Sequence, residues 1–181
     1  MPPAKLTVAN SLLAIIDWQE RLFPVMDEAR REYGLARAKD LVWMSRSLEI
    51  PVLTSEQYPR GLGPTVPELD VSDAIAKTSF SAMAEPAFAE AFSALHRSQV
   101  IVVGMETHIC VAQTCRDFIA QGKEVWVVAD CCLSRRELDW QMGLRRMGDD
   151  GARIVTAEAV LFEWLGQAGG PIFKELSRRI R

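Results

Sequence analysis

Cys110 stands in the stretch Val100-Ile-Val-Val-Gly104-Met-Glu-Thr-His-Ile-Cys110-Val-Ala-Gln-Thr114, where an apolar run gives way to a helical pattern. A cysteine in the first turn of a helix lies among unpaired amide N–H groups at the positive end of the helix dipole. That setting favours a thiolate and predicts a pKa below the ~8.5 of free cysteine. The same geometry points backbone donors at an oxyanion forming beside the sulfur. A nucleophile is one reading; an inert buried cysteine fits the position as well. Two further residues have complementary chemistry. Asp17 follows the apolar run Leu12–Ile16, and Lys77 follows the short run Ala74-Ile-Ala. Alone, Asp17 fits a turn or cap residue and Lys77 an exposed lysine.

These residues need elements to bring them together. Short apolar runs at 12–16, 51–54, 74–77, 100–103, 124–129 and 152–155 predict six strands. Helical periodicity predicts helices at 35–48, 86–95, from about 111 to Gly122, and at 138–147, 156–165 and 172–180. Alternation of this kind implies an α/β protein: one three-layer α/β/α domain over residues 1–181, with a Rossmann-like, six-stranded, mostly parallel sheet. Ligands of open α/β sheets bind at the carboxyl ends of the strands. Asp17, Lys77 and Cys110 each sit just past a strand or on the helix after it, so the topology gathers them at one edge. Ser55–Pro67, with its prolines and glycines, reads as an ordered loop without helix or strand. Ile172, Phe173, Leu176 and Ile180 give the last helix an apolar face that a neighbouring subunit is expected to cover.

Composition narrows the function. The 181 residues are 49% hydrophobic and 25% charged, an ordinary globular balance. The net charge of −3, with basic residues clustering only in short groups such as Arg30-Arg31, Arg135-Arg136 and Arg145-Arg146, argues against a nucleic-acid surface. No apolar run approaches the ~20 residues of a membrane span, and Met1-Pro-Pro-Ala-Lys5 lacks the apolar core of a secretory signal. A cytoplasmic protein with a small-molecule substrate is expected. The four cysteines form no Cys-x-x-Cys pair, and Cys131-Cys132 reads as a packing pair at a strand end.

Three motifs carry a resemblance: Ile15-Ile-Asp17-Trp-Gln19, Ala76-Lys77-Thr-Ser-Phe-Ser81 and Gly104-Met-Glu-Thr-His-Ile-Cys110-Val-Ala-Gln-Thr114. Together with the loop Thr54–Leu69, they resemble the isochorismatase-like cysteine hydrolase superfamily, from about Leu12 to the final helix. The match is nearest to its small stand-alone isochorismatase-domain-containing members, relatives of the YcaC-type hydrolases. The resemblance implies a triad of Cys110 as nucleophile, Asp17 as base and Lys77 as cation beside both. It also implies a cis peptide at Met105–Glu106, with the N–H groups of Glu106 and Cys110 forming the oxyanion hole, and a homo-oligomer. Gln19, Phe23, Tyr58 and Phe80 are expected to line a small, partly aromatic pocket; Trp18 fits that pocket or the core.

Departures from the family pattern narrow the reaction. Metal-binding nicotinamidases carry an Asp-x-His-Pro-like motif where this chain has Glu56-Gln57-Tyr58-Pro59, and His96 and His108 are the two histidines present. A family-type metal site is therefore not expected, no cofactor is implied, and His108 is read as structural. Vinyl-ether cleavage does not need the cysteine, so Cys110 with Asp17 and Lys77 favours hydrolysis of a C–N bond through a thioester. A redox-responsive thiol, a non-catalytic scaffold on the same fold, and vinyl-ether hydrolysis of the isochorismatase type are the alternatives.

Overall fold

Six strands form an all-parallel sheet in the order β3-β2-β1-β4-β5-β6: β1 Ser11–Ile16, β2 Val52–Gln57, β3 Ile75–Lys77, β4 Gln99–Met105, β5 Glu124–Leu133 and β6 Arg153–Val155. The computed structural model of the protein describes residues 5–181, so the opening Met1–Ala4 stretch, on which the leader expectation rests, lies outside the described residues. The chain order reverses between β1 and β4, and a crevice opens at such a switch point in α/β sheets. Asp17 and Cys110 follow these two strands.

The central strands are apolar on both faces because helices cover both. Leu13, Ile15, Ile101 and Val103 face a layer made by α1 (Glu28–Ser47), α6 (Ala157–Leu165) and α7 (Gly170–Arg179). Leu12, Ala14, Ile16, Val100 and Val102 face the other layer, made by α3 (Pro86–Ala94), α4 (Ala112–Ala120) and α5 (Glu137–Asp149). Phe88, Phe92 and Phe118 fill that second layer, with the Phe92 and Phe118 rings 4.7 Å apart.

Several boundaries differ from the expected ones. The first helix begins at Glu28, where the Asp27 carboxylate accepts the Ala29 N–H at 3.0 Å; its first two turns are largely solvent-exposed and carry no apolar period. The Ser55–Pro67 stretch is more regular than a loop. β2 runs on to Gln57, and after Tyr58, in the left-handed region at φ 38°, Pro59–Leu62 makes a helical turn, α2. Ser55 and Gln57 are polar yet hydrogen-bonded inside the protein, which hides a strand from a search for apolar runs. β5 extends past Asp130, with Cys131 buried in one layer and Cys132 in the other. The last helix lays its apolar face on its own chain: Leu176 is buried, and Ile172 and Ile180 pack against the same cluster. Arg37 donates to the Arg179 carbonyl at 2.9 Å, and Asp40 pairs with both arginines, which ties that helix to α1. No helix among the described residues is long and apolar enough to cross a membrane.

Gly104 marks the tightest approach at the switch point. A Cβ there would lie 2.4 Å from the Ile16 carbonyl oxygen and 2.7 Å from the Ile16 Cβ. Both neighbours belong to a central strand and cannot yield. Gly104→Ala is therefore expected to destabilise the fold by about 3 kcal/mol, measured as a lower urea midpoint at unchanged m-value.

Candidate active site

Asp17 and Lys77 sit at strand ends, and Cys110 on the helical turn that follows β4. Asp17 ends β1 at φ 56°, a conformation uncommon outside glycine. Its N–H donates to the Ser55 carbonyl at 3.1 Å and its Oδ1 accepts the Ser55 hydroxyl at 2.7 Å, so β2 holds both ends of the residue. Oδ2 lies 2.7 Å from Lys77 Nζ, and neither side chain has any exposed surface. Lys77 is thus a buried cation, unlike the usual strand-end lysine. Its Nζ also donates to Gln57 Oε1 at 2.6 Å and to the Ser79 and Phe80 carbonyls at 3.1 and 3.0 Å.

Gln57 is itself fixed. Its N–H donates to Gln19 Oε1 at 2.8 Å, while Gln19 Nε2 donates to the Gln57 and Gly63 carbonyls. Gln19 therefore does not line a pocket: it is fully buried, and both ends of its amide are used by backbone. Glu56 is turned to Thr65, accepting from its N–H and its hydroxyl.

Cys110 lies in a π-helical turn, Thr107–Val111, that leads into α4. The Met105–Glu106 peptide before it is cis. Thr114 links this turn to the lysine loop: its hydroxyl donates to the Cys110 carbonyl at 2.7 Å and accepts the Ala82 N–H at 3.0 Å. On the other side α5 comes so near that a Cβ on Gly143 would sit 3.0 Å from the His108 Cα and N. His108 pairs through Nδ1 with the Ser134 hydroxyl at 3.1 Å.

A cavity of about 120 Å³ opens on the thiol, lined by Leu22, Gln57, Leu62, Phe80, Met105, Glu106, Ile109 and Cys110. Of the expected aromatic lining only Phe80 is there. Phe23 packs on Trp18, 5.9 Å between ring centres, and Trp18 is wholly in the core. Tyr58 is not in that lining: it borders a larger cleft with Arg60, Lys77 and Glu85, its ring lying over Gly61. The sequence reading missed Ser55, Gln57, Thr114 and the Glu106 side chain as parts of the site. A run of polar residues directly after an apolar strand, Ser55-Glu-Gln57, was the available signal.

The thiol is not depressed, contrary to the expectation from the helix terminus. Burial pushes Cys110 up to about 12, the Asp17 carboxylate adds to this, and Lys77 only partly offsets it. Desolvation of the charged form outweighs the dipole and the neighbouring cation.

The geometry can be set beside known proteins. An Isochorismatase domain matches residues 11–159. The chain belongs to the isochorismatase family. Isochorismatase domain-containing protein 2 of Xenopus laevis is 36% identical over 184 residues, covering 97% of this chain and 86% of that protein. The solved structure of MAR1 ribonuclease from Caenorhabditis elegans superposes with a TM-score of 0.89 at 33% identity, over 98% of this chain and 92% of that one. The YcaC gene product of Escherichia coli, described as an octameric hydrolase of unknown specificity, shares the fold: TM-score 0.87, 24% identity, 92% and 85% coverage. Membership of this isochorismatase family supports a hydrolase-type function.

Two measurements follow from the buried pair and the raised thiol. Lys77→Met leaves the Asp17 carboxylate buried without its cation and is expected to cost about 3–5 kcal/mol of stability, read by urea denaturation. In the folded protein the Cys110 thiol stays protonated through neutral pH. Its alkylation rate should climb about tenfold per pH unit from pH 8 to 10, with no plateau near the ordinary thiol value. In the unfolded chain the thiol ionises near its ordinary pKa. This group's contribution to stability is therefore full below about pH 9 and falls as pH rises toward 12.

Proposed function

We propose that the chain is a single-domain cysteine hydrolase that cleaves a C–N bond of a small amide-like substrate. What carries this reading is the buried Asp17–Lys77 pair, Oδ2 to Nζ 2.7 Å, whose charges both act on the ionisation of the Cys110 thiol, together with the small cavity that the thiol lines. A thiol held protonated is a poor nucleophile, so attack requires a base in contact with it, and Asp17 is that base. As sulfur bonds to the acyl carbon, the thiol proton passes to Asp17. The carbonyl oxygen becomes an oxyanion facing the Glu106 and Cys110 N–H groups, the proposed oxyanion hole. Asp17 then returns the proton to the nitrogen as the C–N bond breaks, and the amine leaves a Cys110 thioester. Water adds to the thioester with Asp17 again accepting the proton. Collapse expels the Cys110 thiolate, which recovers that proton, and the carboxylic acid departs. Lys77 steadies the negative charge as it moves between carboxylate and sulfur.

The raised thiol argues against a redox sensor, which needs a thiolate at rest. The nuclease name of the worm relative finds little support here, because the cavity lining carries a carboxylate among apolar side chains and the nearby Lys77 ammonium is already tied to Asp17, Gln57 and two carbonyls, where a phosphate would need free cations. The octameric state of the E. coli protein supports a homo-oligomer, and we take cytoplasm as the place of action.

The test is ammonia release from nicotinamide, N-carbamoyl amino acids, ureido compounds and short aliphatic amides. Release should fall ~10³-fold or more in Cys110→Ala. A folded wild type that releases no ammonia from any of them would sink the amidase reading.

A further inference from the structure

Glu106 brings a carboxylate to the nucleophile's cavity that the hydrolytic cycle does not use. Its side chain is 9% exposed. Oε2 is taken by Arg135, which donates from Nε at 2.9 Å and from its backbone N–H at 3.3 Å. Oε1 accepts no hydrogen bond from the described residues, nor is it among the sealed, unpartnered polar atoms. Glu106 lines the cavity, and Oε1 is its one side-chain acceptor without a partner among the described residues.

The other polar groups of the site are engaged. An ammonium has three donors, and Lys77 already faces four acceptors: Asp17, Gln57 and two carbonyls. The Gln57 amide is used at both ends, by Lys77 and by the Thr78 carbonyl. No side-chain donor remains to receive a substrate carboxylate beside the sulfur, and the Glu106 and Cys110 N–H groups are given over to the substrate's carbonyl oxygen. Arg135 engages Oε2 alone, through a side chain that is 58% exposed, so Oε1 keeps its acceptor capacity and its share of the carboxylate's charge.

We propose that Glu106 is the specificity-determining residue of this site. Its carboxylate receives an N–H of a neutral primary carboxamide or urea and turns away substrates whose acyl part carries a negative charge. The inference rests on the Cys110 chemistry proposed above. The apolar walls, Leu62, Phe80, Met105 and Ile109, complete the class. Taking ~30 Å³ per small group, the cavity takes an uncharged acyl portion of on the order of four heavy atoms.

The experiment labels Cys110 with iodoacetamide and with iodoacetate and follows each adduct by mass spectrometry. In both reactions sulfur displaces iodide and the thiol proton is lost, so the two reagents differ in charge and in the N–H group. The rate ratio is divided by that of a small neutral thiol. Wild type should favour iodoacetamide by about tenfold or more beyond that reference, given like charges a few ångströms apart at low dielectric. Glu106→Gln should bring the ratio back toward the reference, whereas Arg135→Gln, which keeps the carboxylate, should preserve it. A wild-type ratio equal to the reference, or a Glu106→Gln ratio equal to wild type, overturns the proposal. Should Glu106→Gln fail to fold, Glu106→Ala takes its place: the ratio should fall toward the reference although Asp17 is still present, and a ratio equal to wild type overturns the proposal. Labelling needs no turnover. Selective labelling without ammonia release would overturn the amidase reading and leave this selectivity standing. Ammonia released from succinamate as fast as from propionamide would do the reverse.

Discussion

Asp17 and Lys77 carry opposite charges where water reaches neither side chain. Withdrawing two ions from water costs several kcal/mol each, and their attraction repays this only when the remaining donors and acceptors are also met. Much of the local architecture follows from that demand. The Ser55 hydroxyl takes the second carboxylate oxygen, and Gln57 with the Ser79 and Phe80 carbonyls surrounds the ammonium. Gln19 in turn holds Gln57. The carboxyl ends of β1, β2 and β3 are thereby locked by side chains as well as by the sheet's own ladder. A parallel sheet suits this because it delivers all three ends to one edge.

That buried pair also sets the state of the sulfur. A helix start alone would favour a thiolate, but Cys110 is packed against a carboxylate and apolar side chains, and desolvation prevails. The proton on sulfur and the base beside it form one unit, so the proposed nucleophile becomes reactive by handing its proton over locally. The neutral resting form explains why a cysteine so close to a carboxylate can be buried at all.

How far the sequence disclosed this depends on the residue. Cys110, Asp17 and Lys77 were legible because each follows a strand signal and each has a chemistry that stands out. The six strands and the parallel sheet followed from alternating apolar runs. What stayed hidden was set by contacts between segments distant in the chain. Ser55 and Gln57 look like loop residues until Asp17, Lys77 and Gln19 are placed against them. Gln19, Phe23 and Tyr58 were plausible pocket residues by type, yet hydrogen bonds to backbone, a ring partner and a left-handed turn send each elsewhere. The thiol's protonation was misjudged because the dipole can be read from local sequence and desolvation cannot. Residues 28–34 carry no apolar stripe, and only the Asp27 cap betrays the start of that helix.

The close approach of α5 at Gly143 has a mechanical side. The same helix reaches over the carboxyl edge of the sheet to α1: Arg30 stacks 3.8 Å above the Trp140 ring and pairs with Glu137. Trp140 also donates to the Ala129 carbonyl of β5. The turn bearing the sulfur is therefore clasped from behind by a helix that is anchored to the opposite layer. A push on α1 or β5 is transmitted to the backbone around His108 with no side chain at Gly143 to cushion it. The sulfur's mount is thus backed by a close-packed helix tied across the sheet, whereas Leu62 and Phe80 of the cavity lining stand on a short turn and a loop.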